Sequence, residues 1–212
     1  MNIVLVTGSC GLVGSEAVKY YSQKGYAVIG IENDIRKKLF GEEGSTYSTK
    51  IFLKNNIKNY IHYQMDIRNE KGVNKIFREY NRDIKLIIHT AAQPSHDWAA
   101  SNPIEDFTIN ALGTINLLEN MRNHSSEAVF IFTSTNKVYG NTPNFLPLIE
   151  EETRWELESS HNWFDGIDET MTVDQSLHSL FGVSKLSADL MVQEYGRYFN
   201  LKTGIFRCGC IT

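Results

Sequence analysis

The sequence predicts an α/β fold, a doubly wound parallel sheet with strand order 3-2-1-4-5-6. Three observations lead there. Apolar runs of strand length alternate with segments of helical period, the pattern of a parallel sheet covered on both faces. The first run ends in a glycine-rich turn that opens a helix, and the second ends in a carboxylate. Strands are predicted at 3–7, 27–32, 61–66, 86–90, 128–133 and 203–207, and helices at 11–24, 70–80, 103–122 and 180–199.

The helix at 103–122 has the clearest start. Asn102 is placed to cap it, Pro103 suits its first position, and Glu105 stands where a capping-box carboxylate belongs. Ile104, Phe107, Ala111, Ile115 and Leu118 then share one face at helical spacing and are predicted to be core. Two stretches break the rhythm. Residues 34–60 mix Gly, Lys and Glu and are expected to be a surface excursion. Residues 135–179 exceed an ordinary connection, yet they carry Trp155, Trp163 and Phe164, so they are expected to fold over the sheet's carboxyl edge as a pocket wall.

Composition narrows the class. Apolar residues make up 42% and charged residues 22% of the 212, the balance of a globular chain. A net charge of −4 with mixed signs gives no broad attraction to nucleic acid or anionic membrane. No apolar run is long enough to span a bilayer and no leader pattern follows Met1, so a cytoplasmic protein is expected. Cys10, Cys208 and Cys210 form no disulfide framework. Cys208 and Cys210 would share a strand face, but the histidines supply no companion ligands, and no metal is expected.

The chemistry starts at the first strand–helix junction. Gly8 permits the tight turn, Gly11 lets the backbone approach a pyrophosphate, and Gly14 allows close helix–strand packing. A phosphate there meets free N–H groups and the positive end of a helix. Glu32, at the end of the second strand, stands where a carboxylate holds the adenosine ribose hydroxyls. Its charge would repel a 2′-phosphate, favouring NAD over NADP, although Arg36, Lys37 and Lys38 lie nearby. Asp66 ends the third strand in position to meet an adenine ring. Together these features define a Rossmann-type NAD-binding domain over 1–212.

The 7–14 loop, Asp66-Ile67, Ala91-Ala92, Asn110 and the run Ser134-Thr135-Asn136-Lys137-Val138-Tyr139-Gly140 resemble the extended short-chain dehydrogenase/reductase family of NAD-dependent epimerases and dehydratases. The resemblance spans essentially the whole chain. Within the family, the 89–98 and 134–140 runs are most similar to those of CDP-paratose 2-epimerases, also called CDP-tyvelose epimerases. It implies an NAD-retaining epimerase acting at C2 of a CDP-sugar through transient oxidation to a keto sugar. The partner implied is a nucleotide-sugar substrate, and a homo-oligomer stays open. By the same resemblance Thr135 hydrogen-bonds the reacting sugar oxygen, and Lys185 binds the nicotinamide ribose. The implied cofactor set is Gly8, Gly11, Leu12, Val13, Gly14, Glu32, Asn33, Asp66, Ile67, Thr90, Ala91, Ala92, Gln93, Asn110, Thr133, Lys185 and Cys208.

Two departures stand out. The family places a tyrosine one helical turn before that lysine, and here the position is Phe181, which has no proton to exchange. His178, Ser179, Ser184 and Tyr139 are the candidate substitutes. The family also continues past the sixth strand into a substrate domain, most of which this sequence lacks. A non-catalytic NAD-binding protein is therefore the alternative. A sugar-nucleotide dehydratase is another, but it wants an acid beside Thr135, where Asn136 stands.

Overall fold

The computed structural model describes residues 2–209 and 211. In chain order the elements are β1 (Ile3–Thr7), α1 (Leu12–Gln23), β2 (Ala27–Glu32), α2 (Ile35–Phe40), α3 (Tyr47–Asn56), β3 (Tyr60–Gln64), α4 (Glu70–Tyr80) and β4 (Ile84–His89). There follow α5 (His96–Ser101), α6 (Pro103–Phe107), α7 (Gly113–His124), β5 (Val129–Thr135), β6 (Leu148–Glu150), β7 (Trp155–Leu157), α8 (Leu180–Phe199) and β8 (Lys202–Cys208). One parallel sheet runs β3-β2-β1-β4-β5-β8, and β6 and β7 form a separate antiparallel pair. The sheet order is the one expected, because its sixth strand is β8.

The sequence of β1 explains its central place. All five residues are buried, since both faces of an inner parallel strand are covered. Alternation divides them. Ile3 and Leu5 join Ile29, Ile31, Ile87 and Phe130 beneath α4, α7 and α8. Val4 and Val6 join Val28 and Ile88 beneath α1 and α3.

The expected helix at 103–122 is three pieces: α6, a π turn at Thr108–Leu112, and α7. A π turn inserts one residue into the helical count and rotates the turn before it relative to the turns after it. Ala111 and Leu118 are accordingly buried, whereas Ile104 is 80% exposed and Phe107 also faces outward. The single core face is thus corrected. Asn102 makes no side-chain cap on α6 and turns its Nδ2 back to the Trp98 carbonyl of α5, although Pro103 does take a first-turn position. Glu105 closes no capping box and instead pairs with Lys38 at 2.8 Å and with Arg68 at 3.8 Å.

Residues 34–60 are also more than an excursion. They form α2 and α3, and Leu53 seals the second face of the sheet. Only Leu53 of α3 is buried, too little to show as an apolar stripe. The long segment after β5 builds its own small core from Val138, Tyr139 and Met171, with Trp163 packed against it. It lines a cavity of about 470 Å³ beside the end of β8 (Lys137, Glu169, Phe206), rather than the main cleft.

Candidate active site

The carboxyl ends of the strands open onto one cleft of about 630 Å³, where a doubly wound sheet binds its ligands. Its floor is bolted through a chain of hydroxyls. Thr114 Oγ1 donates to the Asn110 carbonyl (2.6 Å), so it accepts from His89 Nε2 (2.9 Å). That assigns His89 Nδ1 as acceptor from Thr7 Oγ1 (2.7 Å), and Thr7 in turn accepts from the Ala91 N–H. Burial, and secondarily the Lys185 charge, hold the His89 imidazole down at about 3, so it is neutral and structural.

At the phosphate end, Gly8 has φ +66°, and a Cβ there would lie 2.8 Å from the Ala91 nitrogen. A Cβ on Gly14 would strike the Gly8 carbonyl, whereas at Gly11 it would meet only Gly8 O at 3.3 Å. Helix α1 begins at Leu12 with no side-chain cap, so the first-turn N–H groups of Leu12, Val13 and Gly14 face the cleft as a cradle. The loop is braced from behind. Ser9 Oγ and the Tyr60 hydroxyl meet at 2.9 Å over Gly30, where a Cβ would collide with both. Sequence reading missed this brace; a glycine inside an otherwise β-branched strand was its one signal.

The next stretch of the cleft is acidic. Glu32 is 8% exposed and accepts backbone N–H groups from Cys10 (3.2 Å), Asn33 (3.1 Å) and Asp34 (2.8 Å). Burial raises its pKa against those three bonds. Asn33 donates to Asp66 Oδ2 at 2.9 Å, and Arg68 grips the same carboxylate through Nε and Nη2. Burial pushes Asp66 up, but the Arg68 contacts prevail and hold it low. Ile67 follows in the wall. Asp66 lies two residues past the end of β3 rather than on it, and Arg68 was not foreseen; its place two residues beyond that acid was the available clue.

At the far end, Thr90, Ala91, Ala92, Thr133, Thr135, Phe181, Lys185 and Cys208 line the wall. Thr135 and Cys208 are register partners across β5 and β8. Thr135 Oγ1 accepts the Lys137 N–H at 3.2 Å and faces Asn136 Oδ1 at 3.3 Å. Lys185 donates to the Thr133 carbonyl at 2.8 Å and sits 4.4 Å over the Phe132 ring. Burial, only partly offset by Asp189, lowers its ammonium to about 8. Cys210, expected to share a face with Cys208, lies outside the described residues.

Two expected cofactor contacts stand behind the wall instead. Gln93 and Asn110 are buried and bonded to each other, the Asn110 oxygen accepting the Gln93 N–H at 2.9 Å. Asn110 Nδ2 reaches Ser184 Oγ and Asp106, and Gln93 Nε2 reaches Asp106 at 2.6 Å. Their amides are used up tying α8 and the π turn to the β4 loop, so they position the wall without lining it.

The candidate substitutes for the missing phenol fare unequally. Ser184 is buried and donates to the Phe181 carbonyl. His178 turns Nε2 to the Val173 carbonyl at 2.7 Å and Nδ1 toward that of Lys137. Tyr139 donates to Asp168 O and accepts from Arg207 at 2.9 Å, outside the cleft. Ser179 caps α8 and meets His96 Nδ1 at 2.8 Å. Sequence reading did not single out His96 as a site residue.

A glycine cradle, a buried acid and a lysine on one cleft define a dinucleotide-binding α/β domain. The NAD-dependent epimerase/dehydratase family model matches residues 4–211, and the chain belongs to that family. A CDP-paratose 2-epimerase of Salmonella typhi is 34% identical over 96% of this chain and 56% of its own length. A putative UDP-glucose 4-epimerase of Methanocaldococcus jannaschii is 29% identical over 97% of this chain and 54% of its own. The NAD complex of a UDP-glucose 4-epimerase from Thermus thermophilus superposes with a TM-score of 0.69 at 26% identity, covering 97% and 54% of the two chains. The chain thus spans about half the length of the relatives it matches. Among the described residues, no helix is long and apolar enough to cross a membrane.

Proposed function

We propose that this chain is the cofactor-holding part of an NAD-retaining nucleotide-sugar epimerase acting at C2 of a CDP-sugar. The observation that carries the reading is the placement of Thr135 and Lys185 in the cleft that also holds the glycine cradle and Glu32. The similarity to the CDP-paratose 2-epimerase supports the choice of sugar nucleotide. The residues fit the cofactor: the turn and the helix close into a cradle because Gly8 and Gly14 carry no Cβ, and Glu32, with three backbone N–H groups already accepted, keeps one acceptor site for a ribose hydroxyl. When bound, NAD supplies a reversible hydride acceptor. Thr135 orients the sugar hydroxyl, and Lys185 exchanges its bond to the Thr133 carbonyl for the nicotinamide ribose. The test is incubation of the NAD-loaded chain, joined to the part of the Salmonella typhi relative that it does not span, with CDP-paratose, followed by NMR of the sugar. The C2 epimer is expected, and no change in the sugar would overturn the reading.

Two expectations concern binding alone. Glu32→Ala should weaken NAD by about 1.5–3 kcal/mol, the worth of a charge-assisted hydrogen bond, and should affect NADP less. Paired calorimetric titrations measure both. Lys185 titrates at about 8 and is charged below that pH. NAD affinity should therefore fall between pH 7 and pH 9, and Lys185→Met should flatten that dependence. An equally steep fall in the variant would remove Lys185 from the ribose.

One observation favours a second reading, a binding protein without catalysis. Phe181 stands in the cleft wall with no exchangeable proton. Tight NAD binding with no turnover of CDP-paratose would support it.

A further inference from the structure

Phe181 is 7% exposed, and the group packed on its ring is the imidazole of His96, with centroids 4.7 Å apart. His96 is the first residue of α5, directly after the loop in which Pro94 lines the cleft. It is exposed and is not itself among the cleft-lining residues, but it packs on Phe181, which is. Its Nδ1 is held at 2.8 Å by Ser179 Oγ, which is itself pinned by the Gly182 N–H at 3.1 Å. The ring is thus fixed on two sides, by a hydroxyl and by an aromatic ring, and among the described residues Nε2 has no hydrogen-bond partner.

We infer that His96, held by Ser179 and seated on Phe181, is the catalytic residue that moves the sugar hydroxyl proton in place of the absent phenol. The inference rests on the epimerase reading above. His178, Ser184 and Tyr139 each have their polar atoms committed elsewhere, whereas His96 has one nitrogen anchored and one without a partner among the described residues. The anchor also serves both directions of a reversible transfer. With Nδ1 donating to Ser179, Nε2 carries a lone pair and accepts the hydroxyl proton. In that step the sugar C–H bond breaks, its electron pair leaves as hydride to the oxidised nicotinamide, and the carbinol oxygen becomes a carbonyl. In the return step hydride re-enters the opposite face of that carbon, and the imidazolium gives its proton back to the oxygen. NAD is regenerated and no other oxidant or reductant enters.

The placement is tested first without turnover. The ring signal of His96, assigned by its loss in His96→Gln, is titrated by NMR in the NAD and NADH complexes. Oxidised nicotinamide carries a positive charge and reduced nicotinamide does not. A His96 facing that ring feels this charge only in the NAD complex, so its ring signal should differ between the two complexes at the same pH. The other charges around it, Asp106 on α6, Lys185 on α8 and Asp97 on its own helix, are the same in both complexes. Equal values would overturn the proposal. The second arm mixes the NAD-loaded protein with CDP-paratose. His96→Gln should slow reduction of the bound nicotinamide ~10²–10⁴-fold with NAD affinity unchanged. Phe181→Tyr added to it should restore much of the rate. Undiminished rate in His96→Gln would sink the role of His96 and leave the epimerase reading intact. No sugar chemistry in the wild type would sink the epimerase reading, and the role of His96 with it.

Discussion

Gly14→Ala is expected to remove measurable NAD binding. The added methyl would be driven into the Gly8 carbonyl and crowd Ser9 Cα, both backbone atoms that cannot swing aside like a flexible side chain. Helix α1 must then move off the loop, and its first-turn N–H groups no longer converge on one point. A cradle that binds through several fixed donors loses most of its worth when the donors splay. Affinity should fall at least ~100-fold, the loss expected when several such bonds are misaligned together. Overpacking should also cost about 1–3 kcal/mol of stability. Gly11→Ala is the contrast: its methyl meets one oxygen at 3.3 Å, so the fold should be spared while phosphate approach is impaired. Equal stability losses in the two variants, read from denaturant midpoints, would contradict this division of labour.

Asp189→Ala should destabilise the protein by about 3–5 kcal/mol, the cost of removing one partner from a buried pair. The Asp189 side chain is 0% exposed and that of Arg207 15%, with 3.1 Å between them. Both carboxylate oxygens receive Arg207, and Ser134 Oγ and Gln193 Nε2 donate as well. Alanine would leave a guanidinium with little water and the Ser134 hydroxyl without its acceptor. Because Arg207 is on β8 and Ser134 on β5, the loss should loosen the strand pair that sets Thr135 beside Cys208. Asp189→Asn, which keeps an acceptor oxygen, should cost less. Urea denaturation separates the variants, and a loss under about 1 kcal/mol for alanine would show that the pair adds nothing over its desolvation.

The parts of this fold that depend on local pattern were legible in the sequence. β1 is a continuous apolar run because both its faces are covered, and α8 has the expected bounds because Ser179 caps it and its apolar positions repeat over twenty residues. The π turn was not legible, since inserting one residue changes which side chains are buried without changing composition. α5 was too short for a period to show, and α3 buries one residue.

The site divided along the same line. Backbone-driven features, the glycine cradle and the strand-end acid, follow from residue type and position in one segment. Features assembled from distant segments did not show. His96 and Ser179 are 83 residues apart and form one unit only because α5 packs on α8. Gln93 and Asn110 mark the reverse error, for they sit on the right elements but spend their amides on each other.

Calorimetric titration of the intact chain with NAD and, separately, with NADP tests the central claim most directly. Glu32 already accepts three backbone N–H groups and would face a 2′-phosphate across the ribose. NAD should bind at least ~10-fold more tightly than NADP, a difference of about 1.4 kcal/mol. NADP binding as tightly as NAD, or more so, would contradict the assignment of Glu32 to the ribose and of the cleft to NAD.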